Sequence, residues 1–152
     1  MSRALQGWFE PHVLGERKAR LEGEIPVSKL QRIRDLLASD IGSVRAGLSF
    51  DQLGDGTVLL DMSVTAEVEL TCQRCLEPFA HHVEALTKLA LMEVNIGVAP
   101  EGYEAYEVGR DRINLVNLIE DELIVMLPLV PRHEAREACV GSWVESQAFD
   151  ID

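Results

Sequence analysis

Aromatic side chains are scarce in this sequence, at 5% of 152 residues, and cysteine is scarcer still, with three. Hydrophobic residues nevertheless make up 47% of the chain, which is too much for a disordered tail. The core must therefore come from Leu, Val, Ile, Ala and Met. No stretch approaches the length of a membrane span, and Met1 to Glu10 holds no apolar run of the kind that opens a secretory signal. The expected location is the cytoplasm, where thiols stay reduced, and three cysteines there argue against a disulfide framework. Positive charge is also short: 14 Lys and Arg face 26 Asp and Glu, for a formal net charge of −12. That balance favours solubility and opposes non-specific attraction to a phosphate backbone. Contact with nucleic acid would need a local basic patch; a protein partner would not. There is no phosphate-binding Gly-rich loop, nucleophile elbow, His-Glu-x-x-His or dinucleotide fingerprint, so catalysis has no positive support.

What is present is a strong period of two. Val44, Ala46, Leu48 and Phe50 alternate with polar or small residues. After the Leu53-Gly54-Asp55-Gly56 turn, Val58, Leu60, Met62, Val64, Ala66, Val68 and Leu70 alternate with Asp61, Ser63, Thr65, Glu67 and Glu69. This is a hairpin leading into a long strand with one dry and one wet face. Beyond Pro78, Phe79, Val83, Ala85, Leu89 and Leu91 share one parity and give a second extended run.

The remaining segments are shorter. Lys18 to Val27 reads as a first strand. A helix follows from Ser28, with Gln31 at the return position of a capping box and Leu30, Ile33 and Leu37 inward. Residues 95–102 read as a loop and Tyr103 to Val108 as a short strand. A second helix spans Asn114 to Met126, its apolar line Val116, Ile119, Leu123 and Met126, stopped by Pro128 and Pro131. The predicted fold class is α+β, a mainly antiparallel meander with two packed helices. Residues 1–152 form a single domain, with 1–15 an irregular arm and 132–152 a loose C-terminal segment.

The densest chemistry lies at Cys72-Gln73-Arg74-Cys75, which the flanking strands place at a hairpin tip. Two thiolates so spaced make half of a tetrahedral zinc site. His133 and Cys139 lie together after the second helix and complete a Cys3His set. Three readings stand: structural Zn2+, reduced unliganded thiols, and redox chemistry. The last fits poorly, because a reactive Cys-x-x-Cys normally opens a helix, whose N-terminus lowers the thiol pKa. His81 and His82 lie close by, but neighbours in a strand point to opposite faces. Arg74 sits between the thiols, available to a phosphate or carboxylate of a partner. Glu120, Asp121 and Glu122 form an acidic outer stripe suited to a partner; consecutive helical residues fan apart, which disfavours joint catalysis. Arg17, Lys18, Arg20, Lys29, Arg32 and Arg34 make the densest basic region, where RNA contact would be sought.

Cys72-Gln73-Arg74-Cys75-Leu76-Glu77-Pro78-Phe79, Glu104-Ala105-Tyr106-Glu107, Ile119-Glu120-Asp121-Glu122-Leu123-Ile124 and Leu127-Pro128-Leu129-Val130-Pro131-x-His133, in this order, resemble the bacterial YceD family. Cys139 matches the cysteine that follows this histidine there, and the resemblance covers residues 15–140. It implies a large ribosomal RNA subunit accumulation protein, needed for synthesis, processing or stability of 23S rRNA. The implied partners are a ribosomal protein, an assembly factor or the precursor 23S rRNA. No membrane or small-molecule substrate is implied, and no catalytic residues carry over. The alternative is a metal-dependent RNA-processing or RNA-modifying enzyme, whose only support is the number of acidic residues that Mg2+ could use. Family members often end in a Lys-rich tail; Phe149-Asp150-Ile151-Asp152 shows none, so no basic tail is assigned.

Overall fold

The computed structural model describes residues 5–92, 98–108 and 112–133. The alternating segments form the centre: β3 (Ser43–Gln52), β4 (Val58–Thr71) and β5 (Pro78–Met92) run as consecutive antiparallel neighbours. β2 (Arg20–Pro26) adds antiparallel to β3, and β6 (Glu104–Glu107) adds parallel to β5. The five-stranded order is β2-β3-β4-β5-β6. A second, two-stranded sheet pairs β1 (Trp8–Phe9) with β7 (Ile113–Asn114). The fold class is α+β with a mainly antiparallel meander, and no described helix is long and apolar enough to cross a membrane.

One face of the sheet is dry. Leu48, Phe50, Leu60, Met62, Val64, Val68 and Leu70 are nearly inaccessible and meet Leu14 of α1 (Pro11–Glu16), Ile33 of α2 (Gln31–Arg34) and Ile119 of α3 (Leu115–Met126) in one cluster. Removing several methylenes at such a site costs about 2–5 kcal/mol, so this layer dominates the stability.

Three expectations need correction. The arm expected over 1–15 is not irregular where described: it holds β1 and most of α1, whose first residue is Pro11, a position where the missing N–H costs nothing. The helix expected from Ser28 is broken. A 3-10 turn covers Val27–Lys29 and a single α turn follows at Gln31–Arg34, with no side-chain cap from Ser28. In α3 the dry line is Leu115, Leu118, Ile119 and Leu123, while Met126 is 40% exposed. Asn114 caps that helix through its side chain, which accepts from Asn117 N–H at 3.0 Å.

Gly42 joins α2 to β3 at φ +116, and its carbonyl accepts from Val27 N–H at 3.0 Å. A Cβ there would lie 2.5 Å from the Glu67 carbonyl oxygen. Gly42→Ala is therefore expected to cost about 1–3 kcal/mol, read as a lower urea midpoint. Gly54→Ala, with open space around it, serves as the comparison.

Candidate metal centre

β4 and β5 pair up to Thr71–Pro78, so the Cys-x-x-Cys sits at the tip of their hairpin, as its sequence setting implied. The tip is tied by its own backbone. Cys72 N–H donates to Glu77 O at 2.9 Å, and Leu76 N–H donates to Cys72 O at 2.7 Å. Leu76 takes φ +62 to close this turn. The thiols face inward and are buried, Cys72 at 0% and Cys75 at 2% exposure.

The segment after α3 returns to this tip. Gln73 N–H donates to Pro131 O at 2.8 Å, and the Arg74 guanidinium donates to His133 O at 3.4 Å. The His133 ring lies 4.8 Å from the Phe79 ring, centroid to centroid. These contacts bring His133 Nδ1 to 3.6 Å from Cys75 Sγ. Ligand atoms of Cys72, Cys75 and His133 all lie within 4.8 Å of one another. Zn–S bonds of about 2.3 Å and Zn–N bonds of about 2.0–2.1 Å give a tetrahedral edge of roughly 3.5–3.8 Å, which the Cys75–His133 distance matches, and the three donors suit zinc in type. Cys139, the expected fourth ligand, lies outside the described residues.

Burial pushes the Cys72 thiol up, but hydrogen bonds from the backbone N–H groups of Cys75, His133 and Arg74 outweigh it, with help from the His133 ring, and bring it down to about 5. The Arg74 N–H bond to Cys72 Sγ is 3.4 Å. Amides aimed at a sulfur stabilise the thiolate, the form that binds metal.

The other residues singled out fall elsewhere. His81 lies edge-on to Phe79 with centroids 6.5 Å apart, while His82 points to the wet face and pairs with Glu67 and Glu84 at 2.5 and 3.3 Å. His82 is thereby raised above its ordinary value of 6.5, chiefly by its bond to Glu67. A raised folded pKa gives stability that is fully present below the unfolded value and is lost as pH rises through the folded one. NMR titration is expected to show His82 above the ordinary histidine range, and Glu67→Gln to lower it while Glu84 still holds it up.

Glu120 does not belong to an outer stripe: it is 4% exposed. Its carboxylate accepts from Arg32 N–H at 2.9 Å, Ile33 N–H at 3.0 Å and Arg32 Nε at 3.2 Å. It caps the first turn of α2 from another helix. Asp121 accepts from Arg32 Nη1 at 2.6 Å and from the Tyr106 hydroxyl at 3.1 Å. Glu122 is half-buried. The six basic residues split into two groups: Arg17, Lys18 and Arg20 stand at the start of β2, and Lys29, Arg32 and Arg34 follow its end. Seven strand residues separate the groups by about 20 Å. Sequence reasoning missed the Phe79–His133 stack and the Gln73–Pro131 tie, which carry no local signal because their partners lie far apart in the chain.

A family profile described as Large ribosomal RNA subunit accumulation protein YceD matches residues 60–150. That span holds most of β4, then β5, the cysteine tip, α3 and the returning segment. A protein from Haemophilus influenzae, named Large ribosomal RNA subunit accumulation protein YceD, is 29% identical over 140 residues, covering 90% of this chain and 79% of its own length. No solved structure matches the chain.

Proposed function

The chain belongs to the YceD family of large ribosomal RNA subunit accumulation proteins, and from that premise we propose that it serves large-subunit rRNA accumulation as a non-enzymatic binding module. The observation that carries this reading is the clamp of Cys72, Cys75 and His133. There Gln73 N–H on Pro131 O and the Arg74 guanidinium on His133 O seat the returning segment on the hairpin tip, at one end of the sheet. Leu76 on the tip and Leu129 and Val130 on the segment stand 67%, 101% and 59% exposed beside it. Exposed apolar side chains on the tip and on the segment suit a protein partner. The partner is a ribosomal protein, an assembly factor or precursor 23S rRNA, met in the cytoplasm. Zn2+ is the metal proposed for the clamp, with Cys139 as fourth ligand; bound there, it closes a four-coordinate structural site.

The enzyme reading loses support at the acidic helix. Glu120 and Asp121 are committed to Arg32 and do not form an open carboxylate pair. Among the described residues, the grouping with metal-ligand spacing is the thiolate one.

The test is co-sedimentation of the tagged chain with ribosomal particles, alongside the ratio of large- to small-subunit rRNA in cells depleted of it. Association with precursor large-subunit particles and a fall in that ratio support the proposal. An unchanged ratio with no particle association refutes it, and RNA cleavage by the purified chain would restore the enzyme reading.

A further inference from the structure

β6 pairs with β5 only over Leu89–Met92, so Pro78 to Lys88 of β5 has no described strand on its outer side. The segment Pro128 to His133 runs beside this open edge, and between them lies a cleft of about 800 Å³. Phe79, His81 and His133 line it with ring faces and edges, and Arg74 and Arg132 line it with guanidinium groups. Val130 adds an apolar wall. This is an unusual concentration for a chain with 5% aromatics and a net charge of −12.

We propose that this cleft takes a short single-stranded RNA segment. One base stacks against the His81 ring, beside the Phe79–His133 pair, and the adjoining phosphate meets Arg132. The inference rests on the RNA-related reading above and gives it a site.

Three observations favour RNA over a peptide strand. Ring faces beside guanidinium groups are what unpaired bases and a sugar-phosphate backbone require, and every base has a face to stack. Arg132 is exposed and forms no ion pair with a described residue, so its charge is available to a phosphate. Glu67, the acidic residue on the cleft wall, is hydrogen-bonded to His82, which offsets its repulsion. The basic region around α2 is a poorer candidate, because Arg32 is taken by Glu120 and Asp121 and Arg34 donates to Ser28 O.

The experiment is fluorescence anisotropy of the full chain with a labelled single-stranded RNA of about ten nucleotides, a length within ordinary single-strand site sizes. It is run at low salt, with a duplex of the same sequence for comparison. Binding to the single strand in preference to the duplex is expected. His81→Ala should weaken it about tenfold, the worth of a stacking contact, and Arg132→Glu at least as much. Lys88→Glu, the same charge reversal further along β5 and outside the cleft, should weaken it far less than either. Each variant is first matched to the parent by thermal melting, and Arg132→Glu, at an exposed position, carries the test if His81→Ala fails to fold. No binding by the parent chain, or binding unchanged in both cleft variants, overturns the proposal. If co-sedimentation with precursor particles persists in that case, the cleft assignment alone falls and a protein-mediated contact replaces it.

Discussion

Replacing Glu120 with alanine is expected to cost about 3 kcal/mol of folding stability, through two first-turn amides left without a partner. The Arg32 and Ile33 N–H groups both donate to this one carboxylate, and the second bond is buried. Each unsatisfied group costs about 1–3 kcal/mol, whereas the half-exposed ion pair with Arg32 adds little. Glu120→Gln keeps one acceptor oxygen and should lose about half as much. Asp121→Ala removes the more exposed bond to Arg32 and should cost about 1 kcal/mol or less. Urea denaturation at constant slope measures all three. A loss under 1 kcal/mol in Glu120→Ala would show that the capping is incidental.

The second large effect concerns the metal. Zinc at about a thousandfold over its dissociation constant is expected to stabilise the folded chain by about 4 kcal/mol. The proposed Cys75→Ser variant should lose both the metal and this increment. Elemental analysis should find zinc in the parent, with Cys72 and Cys75 protected from thiol reagents until a chelator is added. Gln73→Pro offers an independent probe. It removes the N–H that ties the tip to Pro131 while leaving the thiols in place, so it should weaken zinc binding without abolishing it. A chain whose melting is indifferent to chelator and whose thiols react freely would leave the cluster as a plain packing contact.

How far these features could be read from the sequence depended on how local their causes are. β3, β4 and β5 follow from side chains two residues apart, so the alternation from Val44 to Leu70 told the strand, its dry face and its hairpin partner together. The cysteine tip followed from the same alternation, which left only a turn for residues 72–77. α2 was misjudged because its cap is a carboxylate on α3, while the nearby Ser28 and Gln31 imitate a capping box they do not form. α3 was found, but its rotation was set by what it meets, so Met126 was placed inward and Glu120 outward. α1 left one usable mark, Pro11 in its first turn. At the candidate metal centre the donor types were legible. The Phe79–His133 stack and the place of Arg132 were not, since both depend on where the chain goes after Pro128.

The two long-range clamps also set an order of assembly. The β3-β4-β5 meander joins neighbours through short turns, which costs little loop-closure entropy. The Glu120–Arg32 cap and the Cys75–His133 contact instead close loops between residues 88 and 58 positions apart. The hairpins are therefore expected to form first, and α3 with the returning segment to dock onto a sheet already made. In native-state hydrogen exchange, amides of α3 should open in a smaller event than those of β4, which should exchange only through global unfolding. The surface proposed for partners is then the last part of the molecule to be completed and the first to come apart.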